Sequence, residues 1–546
     1  MPTFQTDAFF EQFLYDEKNP LLFNNGFFVF FFTAFMCLYY LFRNRIQVRR
    51  YIFCFFSLYF FYKASGSFVL LVIGSAIVDF VLSNAIFRAQ NKKMKTGLLL
   101  VSIFFNLGML FYFKYTNFFI SLSNELLHSG FHPLNILLPV GISFYTFENL
   151  SYTIDVYRGE LEPARKFSDY LLFLSFFPKL VMGPIVRAHD FVPQINKPYH
   201  ISNQDFAKGF YLIISGMFKK LIISDYLTLN YVDYVFDDPS RYTGIENITA
   251  VYAYAAVIYC DFSGYSDVAL GIARWLGFTI PVNFLSPYQS SSITEFWRRW
   301  HISLSSWLKD YLYIPLGGNR KGSVATIIFT TLFFVSCWFI FDRLLFFPLW
   351  LNVVLCALLL LIFILPSIIQ KSKGGVSTNF NLMTTMFLGG LWHGASLNFI
   401  FWGALHGIGL GVHKLWMLLT GSEQSRIKNK RIYLIVSGLI TFHFVCICWI
   451  FFKSASFDIA KAMIVQMGSG WSYDILLRFV INYQHILYML ALVAVMHLIP
   501  DDYADRLISK FNRIPLLAYV LIFFVFVLVY GYFKSAEQVL PIYLQF

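Results

Sequence analysis

Long apolar runs separated by short polar breaks set the character of this chain. Such runs cover 22–42, 68–87, 324–341, 350–365, 432–452 and 516–533. A hydrocarbon core of roughly 30 Å is crossed by about 20 helical residues. The pattern therefore predicts an all-α, polytopic integral membrane protein with about 11–14 membrane segments, re-entrant or short helices included. Strands of a membrane barrel alternate apolar and polar positions, and these runs do not. With no repeat of fixed period and no low-complexity tract, one integral membrane domain over 1–546 is expected.

Composition agrees with the pattern. Of 546 residues 58% are hydrophobic and only 13% are Asp, Glu, Lys or Arg, too few to cover a soluble protein of this length. The first apolar run follows an acidic, aromatic start (Asp7, Glu11, Asp16, Glu17) and lacks a basic leader and a small-residue cleavage site, so it reads as a membrane helix, not a signal peptide. The net charge of +12 need not mean nucleic acid, because basic residues collect in the cytoplasmic loops of membrane proteins. "RNRIQVRR" (43–50), "RAQNKKMK" (88–95) and "RIKNKR" (426–431) fit such loops and put the N-terminus on the extracytoplasmic side. The seven cysteines lack regular spacing and read as small buried residues, not as disulfide or zinc ligands.

Ionisable groups inside a membrane are costly, so polar interruptions of the apolar runs mark candidate sites. In "LPVGISFYTFENLSYTIDVYRGE" (138–160), Glu148 and Asp155 lie seven apart and share a helix face. They fit acid–base work or a cation path, or a polar seam between helices. "FFPKLVMGPIVR" (176–187) breaks helix with two prolines and a glycine and fits a short re-entrant segment, with Lys179 and Arg187 as interfacial anchors. "YCDFSGYSDVALGIARWLGF" (259–278) offers Asp261 and Asp267 without further metal ligands, so helix capping and glycine packing are expected there. "LGGLWHGASLNFIFWGALHG" (388–407) surrounds Trp392 and His393 with Gly389, Gly390 and Gly394. Its flanks are both basic, which predicts a helical hairpin or re-entrant element that holds His393 within the membrane. His406 and His413 share a face, but nothing completes a metal set, and no metal is expected.

Charge is concentrated in "EFWRRWHISLSSWLKDY" (295–311). Glu295 stands three and four residues before Arg298 and Arg299, so an intrahelical ion pair is available. The tryptophans suit a membrane interface. Arg298, Arg299, Lys309, Arg320 and Lys321 would attract a phosphate-bearing substrate, or the segment is an ordinary amphipathic interfacial helix. His393 is either a satisfied core residue or a base in a water-restricted tunnel, where neutral imidazole takes a proton from a hydroxyl.

"SITEFWRRWHISLSSWLKDYLYIPLGGNR" (292–320) resembles the signature of the membrane-bound O-acyltransferase (MBOAT) family, in its bacterial alginate O-acetyltransferase branch. "FENLSYTIDVYRG", "GPIVR", "YCDFSGYSDVALG", "NFLSPYQSSSITEFW" and "LGGLWHGAS" are similar to that branch in the same order. The matching blocks span about 139–411; 1–138 and 412–546 are read from hydropathy alone, as flanking membrane helices. The resemblance implies that His393, in the "WHG" block, is catalytic, and that His301, where many relatives carry Asn, is the second polar position.

The resemblance also implies the function. An inner-membrane O-acetyltransferase is expected, moving acetyl from a cytosolic thioester to an exopolysaccharide such as alginate or cellulose through a periplasmic acetyl-accepting or acetyl-transferring protein. Acetyl-CoA is the expected donor substrate, with no permanently bound cofactor. Lys309 and Arg320 are candidate donor-binding residues, and Gly389, Gly390 and Gly394 are candidate oxyanion donors. A polysaccharide transporter or exporter, a D-alanyl transferase for a cell-wall polymer and a non-catalytic scaffold are the competing readings.

Overall fold

The computed structural model describes residues 11–544, apart from 18, 24, 320–321, 341, 343–347, 370–374, 421–429, 500 and 535–538. Helices form wherever the apolar runs predicted them: Gly26–Leu41, Val69–Arg88, Val324–Phe339, Leu349–Ile369, Arg431–Lys453 and Leu516–Phe533. Strands are absent among the described residues. Four helical stretches there are long and apolar enough to cross a membrane, and a fifth joins Tyr473–Asn482 to Gln484–Leu498 through a 77° bend. Their outward faces carry bare leucine, valine and phenylalanine, as lipid contact requires.

The chain gathers into two compact units. The first contains the chain up to Leu221, Phe262–Val282 and Arg506–Tyr532. At its centre Phe177 is fully buried, with Phe56 and Phe60 at ring separations of 4.9 and 5.3 Å. Helix α1 (Ile142–Arg158) runs between two left-handed glycines, Gly141 and Gly159, and is almost wholly buried. Its Glu148 is ion-paired with Lys179 and accepts the Val186 N–H at 3.1 Å. The carboxylate therefore serves the buried, irregular backbone of 176–187, which a helix would have satisfied by itself. Lys179 is thus a buried ion-pair partner, not an interfacial anchor, because a full carboxylate waits for it inside the unit. Asp155 faces His189 at 3.8 Å, so the two carboxylates of α1 serve separate contacts and form a seam. A second buried network escaped the sequence reading: Asp79 accepts from Ser102, Asn106 and Thr153.

Helices α2 (Asn203–Met217) and α3 (Gly244–Trp275) approach closely where glycines meet. A Cβ on Gly264 would stand 2.6 Å from the Gly216 carbonyl, and one on Gly271 2.6 Å from the Gly209 carbonyl. Glycine packing was expected here; capping was not found, because α3 runs unbroken through Asp261 and Asp267. Asp267 pairs instead with Lys219 at 2.7 Å.

The second unit contains Ile222–Asp261, Asn283–Asp505 and the chain from Phe533. Two short helices, α4 (Ile293–Arg299) and α5 (Ile302–Leu308), are followed by a hairpin of α6 (Gly375–His393) and α7 (Leu397–Thr420) and by α8 (Arg431–Lys453). The hairpin is tight because Gly390 faces Gly403. A Cβ on Gly390 would meet the Phe399 carbonyl at 2.3 Å. Gly390→Ala is therefore expected to force the two helices apart and to cost about 1–3 kcal/mol. Thermal unfolding in detergent checks this, and a wild-type midpoint for the variant would sink it.

Candidate active site

The site lies in the second unit and starts from a backbone irregularity. His301 sits between α4 and α5 with φ of 44°, a left-handed conformation that costs energy in a residue with a Cβ. Asn283 holds the turn. Its carbonyl accepts the Ile302 N–H at 3.0 Å and its side-chain oxygen accepts the Ser303 N–H at 3.1 Å. On the N-terminal side, Ser292 caps α4 through the Glu295 N–H. Glu295 accepts from the Ser291 N–H and hydroxyl, both at 2.8 Å, and pairs with Arg299 at 2.9 Å. Burial alone would raise the Glu295 carboxyl, but the Ser291 hydrogen bonds and the Arg299 guanidinium hold it below its ordinary value. Of the two arginines the sequence offered, only Arg299 takes the pair; Arg298 is exposed.

The expected interfacial placement of this segment is corrected by the structure. Trp300 and Trp307 are 2% and 6% exposed. Trp300 packs on Phe296 and on Trp449 of α8, at ring separations of 5.6 and 5.1 Å, and Trp297 packs on His406 of α7 at 5.0 Å. The indoles pack inside the unit here, because Phe296 and Trp297 meet His406 of α7 and Trp300 meets Trp449 of α8. The charge at 295–299 locks the entry to a turn, and the rings bury it.

His393 ends α6 at the tip of the hairpin and is 4% exposed, while His301 is fully buried. Their ring centres stand 6.4 Å apart. Residues 92 positions apart in sequence thus face one small space. Trp392, Trp402 and Phe452 wall the His393 ring, at 5.0, 4.9 and 5.4 Å. Gly394 is the turn that makes room, since a Cβ there would stand 2.1 Å from the Phe399 ring. Gly389 and Gly390 serve helix packing, against Leu308 and Gly403.

One residue of the candidate site carried no signal in the sequence. Tyr543 brings its hydroxyl to 3.2 Å from Nδ1 of His393, with the rings 5.6 Å apart. Its ring also meets His301 edge-on, at 6.1 Å. The segment is held in place by α3, where Asp261 accepts the Ile542 N–H at 2.9 Å. This gives Asp261 a structural task in place of the capping role. Only the apolarity of the C-terminal region was readable, and a single Tyr in a chain with 34 of them stands out in no pattern.

The remaining candidates fall elsewhere. Lys309 is exposed at the far end of α5 from His301, about 12 Å along the helix axis. Arg320 and Lys321 lie outside the described residues. His406 is buried among Trp297, Trp402 and Trp449, and His413 bonds Thr294 through Nδ1 at 2.9 Å, so the two histidines serve different contacts.

A cavity of about 340 Å³ adjoins the site. Phe399 and Phe452 separate it from the His393 ring, and Ser396 of the hairpin turn lines it. The arrangement offers a desolvated imidazole pair, a hydroxyl on one imidazole nitrogen, and an adjoining chamber. That suits proton transfer to and from an oxygen or sulfur at a carbonyl.

Comparison with known proteins agrees with this chemistry. Residues 58–360 match the membrane-bound O-acyltransferase family. The chain is 34% identical to a protein of Pseudomonas syringae pv. tomato named probable alginate O-acetylase AlgI, over 82% of this chain and 75% of that one. It is 31% identical to a peptidoglycan O-acetyltransferase of Helicobacter pylori, over 75% and 72% of the two chains. It is 26% identical to a teichoic acid D-alanyltransferase of Bacillus subtilis, over 60% and 71%.

Proposed function

The chain belongs to the membrane-bound O-acyltransferase family and is an acyltransferase, and on that premise we propose that it O-acetylates an extracytoplasmic polysaccharide from a cytosolic thioester. Acetyl is favoured over D-alanyl because the relatives of higher identity are named O-acetylases or an O-acetyltransferase, at 31–37% against 25–26% for D-alanyltransferases. The observation that carries the chemistry is the enclosed group of His393, His301 and Tyr543.

His393 is the general base in this reading. When Nδ1–H donates to the Tyr543 oxygen, Nε2 carries the lone pair and faces the reaction. An acceptor hydroxyl gives its proton to Nε2 as its oxygen attacks the thioester carbonyl. The tetrahedral intermediate then expels the thiolate, which takes that proton back, so one O–H and one C–S bond are exchanged for a C–O and an S–H bond. His301 shares the proton traffic from the other side of the space. Low polarity around the rings strengthens each of these interactions. Acetyl-CoA is the donor we propose, with Lys309 as a surface contact for its phosphates, and Arg320 as a second contact by resemblance alone. A partner protein outside the membrane assists the handover to the polymer, and the chain is placed in a bacterial inner membrane with its N-terminus outside.

Tyr543 is a positioning residue. Tyr543→Phe is expected to lower kcat about tenfold, the worth of one hydrogen bond to a functional group. KM for the donor should stay unchanged, and the acid limb of the pH–rate profile should move. A variant with wild-type kcat and pH profile would remove the tyrosine from the mechanism. The proposal as a whole is tested by purified protein in nanodiscs given acetyl-CoA and envelope polysaccharide. Release of free CoA thiol with alkali-labile acetate on the carbohydrate is the expected result. Activity with a D-alanyl thioester and none with acetyl-CoA would overturn the acetyl assignment.

A further inference from the structure

One carboxylate in the first unit lies among membrane helices with neutral partners only. Asp79 sits in Val69–Arg88, part of a stretch long and apolar enough to cross a membrane, and is 0% exposed. Its oxygens accept from the Ser102 hydroxyl, from the Asn106 amide at 2.7 Å and from the Thr153 hydroxyl at 3.1 Å. The same Asn106 nitrogen donates to the Ser102 carbonyl at 3.0 Å, and a carbonyl only accepts, so the direction of the amide is fixed. Among the described residues no lysine, arginine or histidine reaches Asp79. The other buried carboxylates nearby behave differently: Glu148 pairs with Lys179, and Asp169 with Arg50. A charge left unbalanced in an apolar interior is costly, so an ionisable group at such a place is expected to hold a counter-ion.

More oxygens surround it than its own bonds require. Ser83 stands 3.2 Å from the Thr153 hydroxyl, and the Asn106 oxygen accepts from Asn149 at 3.2 Å. Helix α1 supplies a second and separate sign. Tyr145 and Thr146 are 0% exposed, and among the described residues neither side-chain oxygen has a hydrogen-bond partner. At about 100° per residue, positions 145, 146, 149 and 153 fall within an arc of about 100° around the helix. The two unpartnered hydroxyls therefore share the face of α1 that meets Asp79 and Asn106 through Thr153 and Asn149. Buried polar groups are normally satisfied, and such a pair points to a guest that binds oxygen.

The ligand set narrows the guest. Carboxylate, hydroxyl and amide oxygens suit a hard cation, and no imidazole or thiolate joins the described group to favour a softer metal. One carboxylate cancels one positive charge, so a divalent ion would stay half unbalanced among apolar helices. A hydroxyl oxygen carries two lone pairs, so Ser83, Ser102 and Thr153 can each turn one toward an ion. Oxygens only 3.1–3.2 Å apart close around a small ion. Sodium is close in radius to calcium, which takes its oxygens at roughly 2.3–2.6 Å.

We propose that Asp79, with Ser83, Ser102, Asn106 and Thr153, binds a single sodium ion that ties α1 to the helices Val69–Arg88 and Lys92–Leu110. All five residues belong to the first unit, and the site does not depend on the acyltransfer reading.

The full chain, purified in nanodiscs and exchanged into choline chloride, is titrated with sodium chloride at constant ionic strength. The unfolding midpoint is expected to rise by about 2–4 °C at saturating sodium and to stay unchanged in potassium. Radiolabelled sodium should bind at one ion per chain. Asp79→Asn keeps the shape of the side chain and removes its charge, so that variant should bind no sodium and show no response to it. A wild-type midpoint that ignores sodium, or that rises equally in potassium, overturns the proposal. So does an Asp79→Asn protein that still responds. A midpoint that follows pH and not sodium would put a proton on Asp79 and overturn it as well. If the Asp79→Asn protein fails to fold, Thr153→Val takes its place and must raise the sodium concentration at half-effect about tenfold or more. An unchanged titration in that variant overturns the proposal.

Discussion

Replacing His393 by alanine is expected to cut acetyl transfer by a factor on the order of 10²–10⁴, the usual contribution of a positioned general base. The reason is geometric. His393 closes α6 at a hairpin turn, Trp392, Trp402 and Phe452 hold its ring, and Tyr543 occupies Nδ1. His301 stands 6.4 Å away, centre to centre, and so cannot take a proton at the same point as Nε2 of His393. The measurement is thioester turnover by purified variant and wild type at matched thermal stability. A His393→Ala enzyme within a few-fold of wild type would dismiss the base and shift attention to His301. His301→Ala is the natural companion, and its loss should be smaller if His301 only shares proton traffic.

The largest effect on stability is expected at Lys179. Lys179→Met leaves the Glu148 carboxylate buried with its cation gone, a change that typically costs about 3–5 kcal/mol. Both side chains are almost inaccessible, at 1% and 4% exposure, so water cannot compensate. Glu148 also holds the Val186 N–H, so the irregular stretch 176–187 should loosen with it. The double variant Lys179→Met with Glu148→Gln removes the stranded charge and should recover a large part of the loss. Unfolding midpoints of wild type, the single variant and the double variant in detergent decide the matter. If the single variant were as stable as wild type, or the double no better than the single, the pair would hold nothing together.

Most of the architecture could be read from the chain alone. Apolar runs at 26–41, 69–88, 324–339, 431–453 and 516–533 became helices because a continuous apolar stretch has few other ways to satisfy its backbone away from water. The hairpin around His393 was equally readable, from basic flanks and glycines at the turn, and Gly390 and Gly403 do allow the close approach. Family resemblance singled out His393 and His301, and the structure sets these two rings 6.4 Å apart, centre to centre.

What the chain did not disclose depends on distance in sequence. Trp297 and Trp300 read as interfacial because composition cannot tell an exposed amphipathic helix from an enclosed one; only the arrival of α7 and α8 made them core. Lys179 read as an anchor because its partner lies 31 residues earlier on another helix. Tyr543 lies 150 residues beyond the histidine it touches, and Tyr254 and Ser454 are 200 apart across their shared cavity. Periodicity and local motifs are properties of neighbours along the chain, and they determined the helices, the hairpin and the reaction class. Which polar groups share a buried space is set by packing between distant segments, and that alone decided the placing of Tyr543 beside His393 and of the cavity next to them.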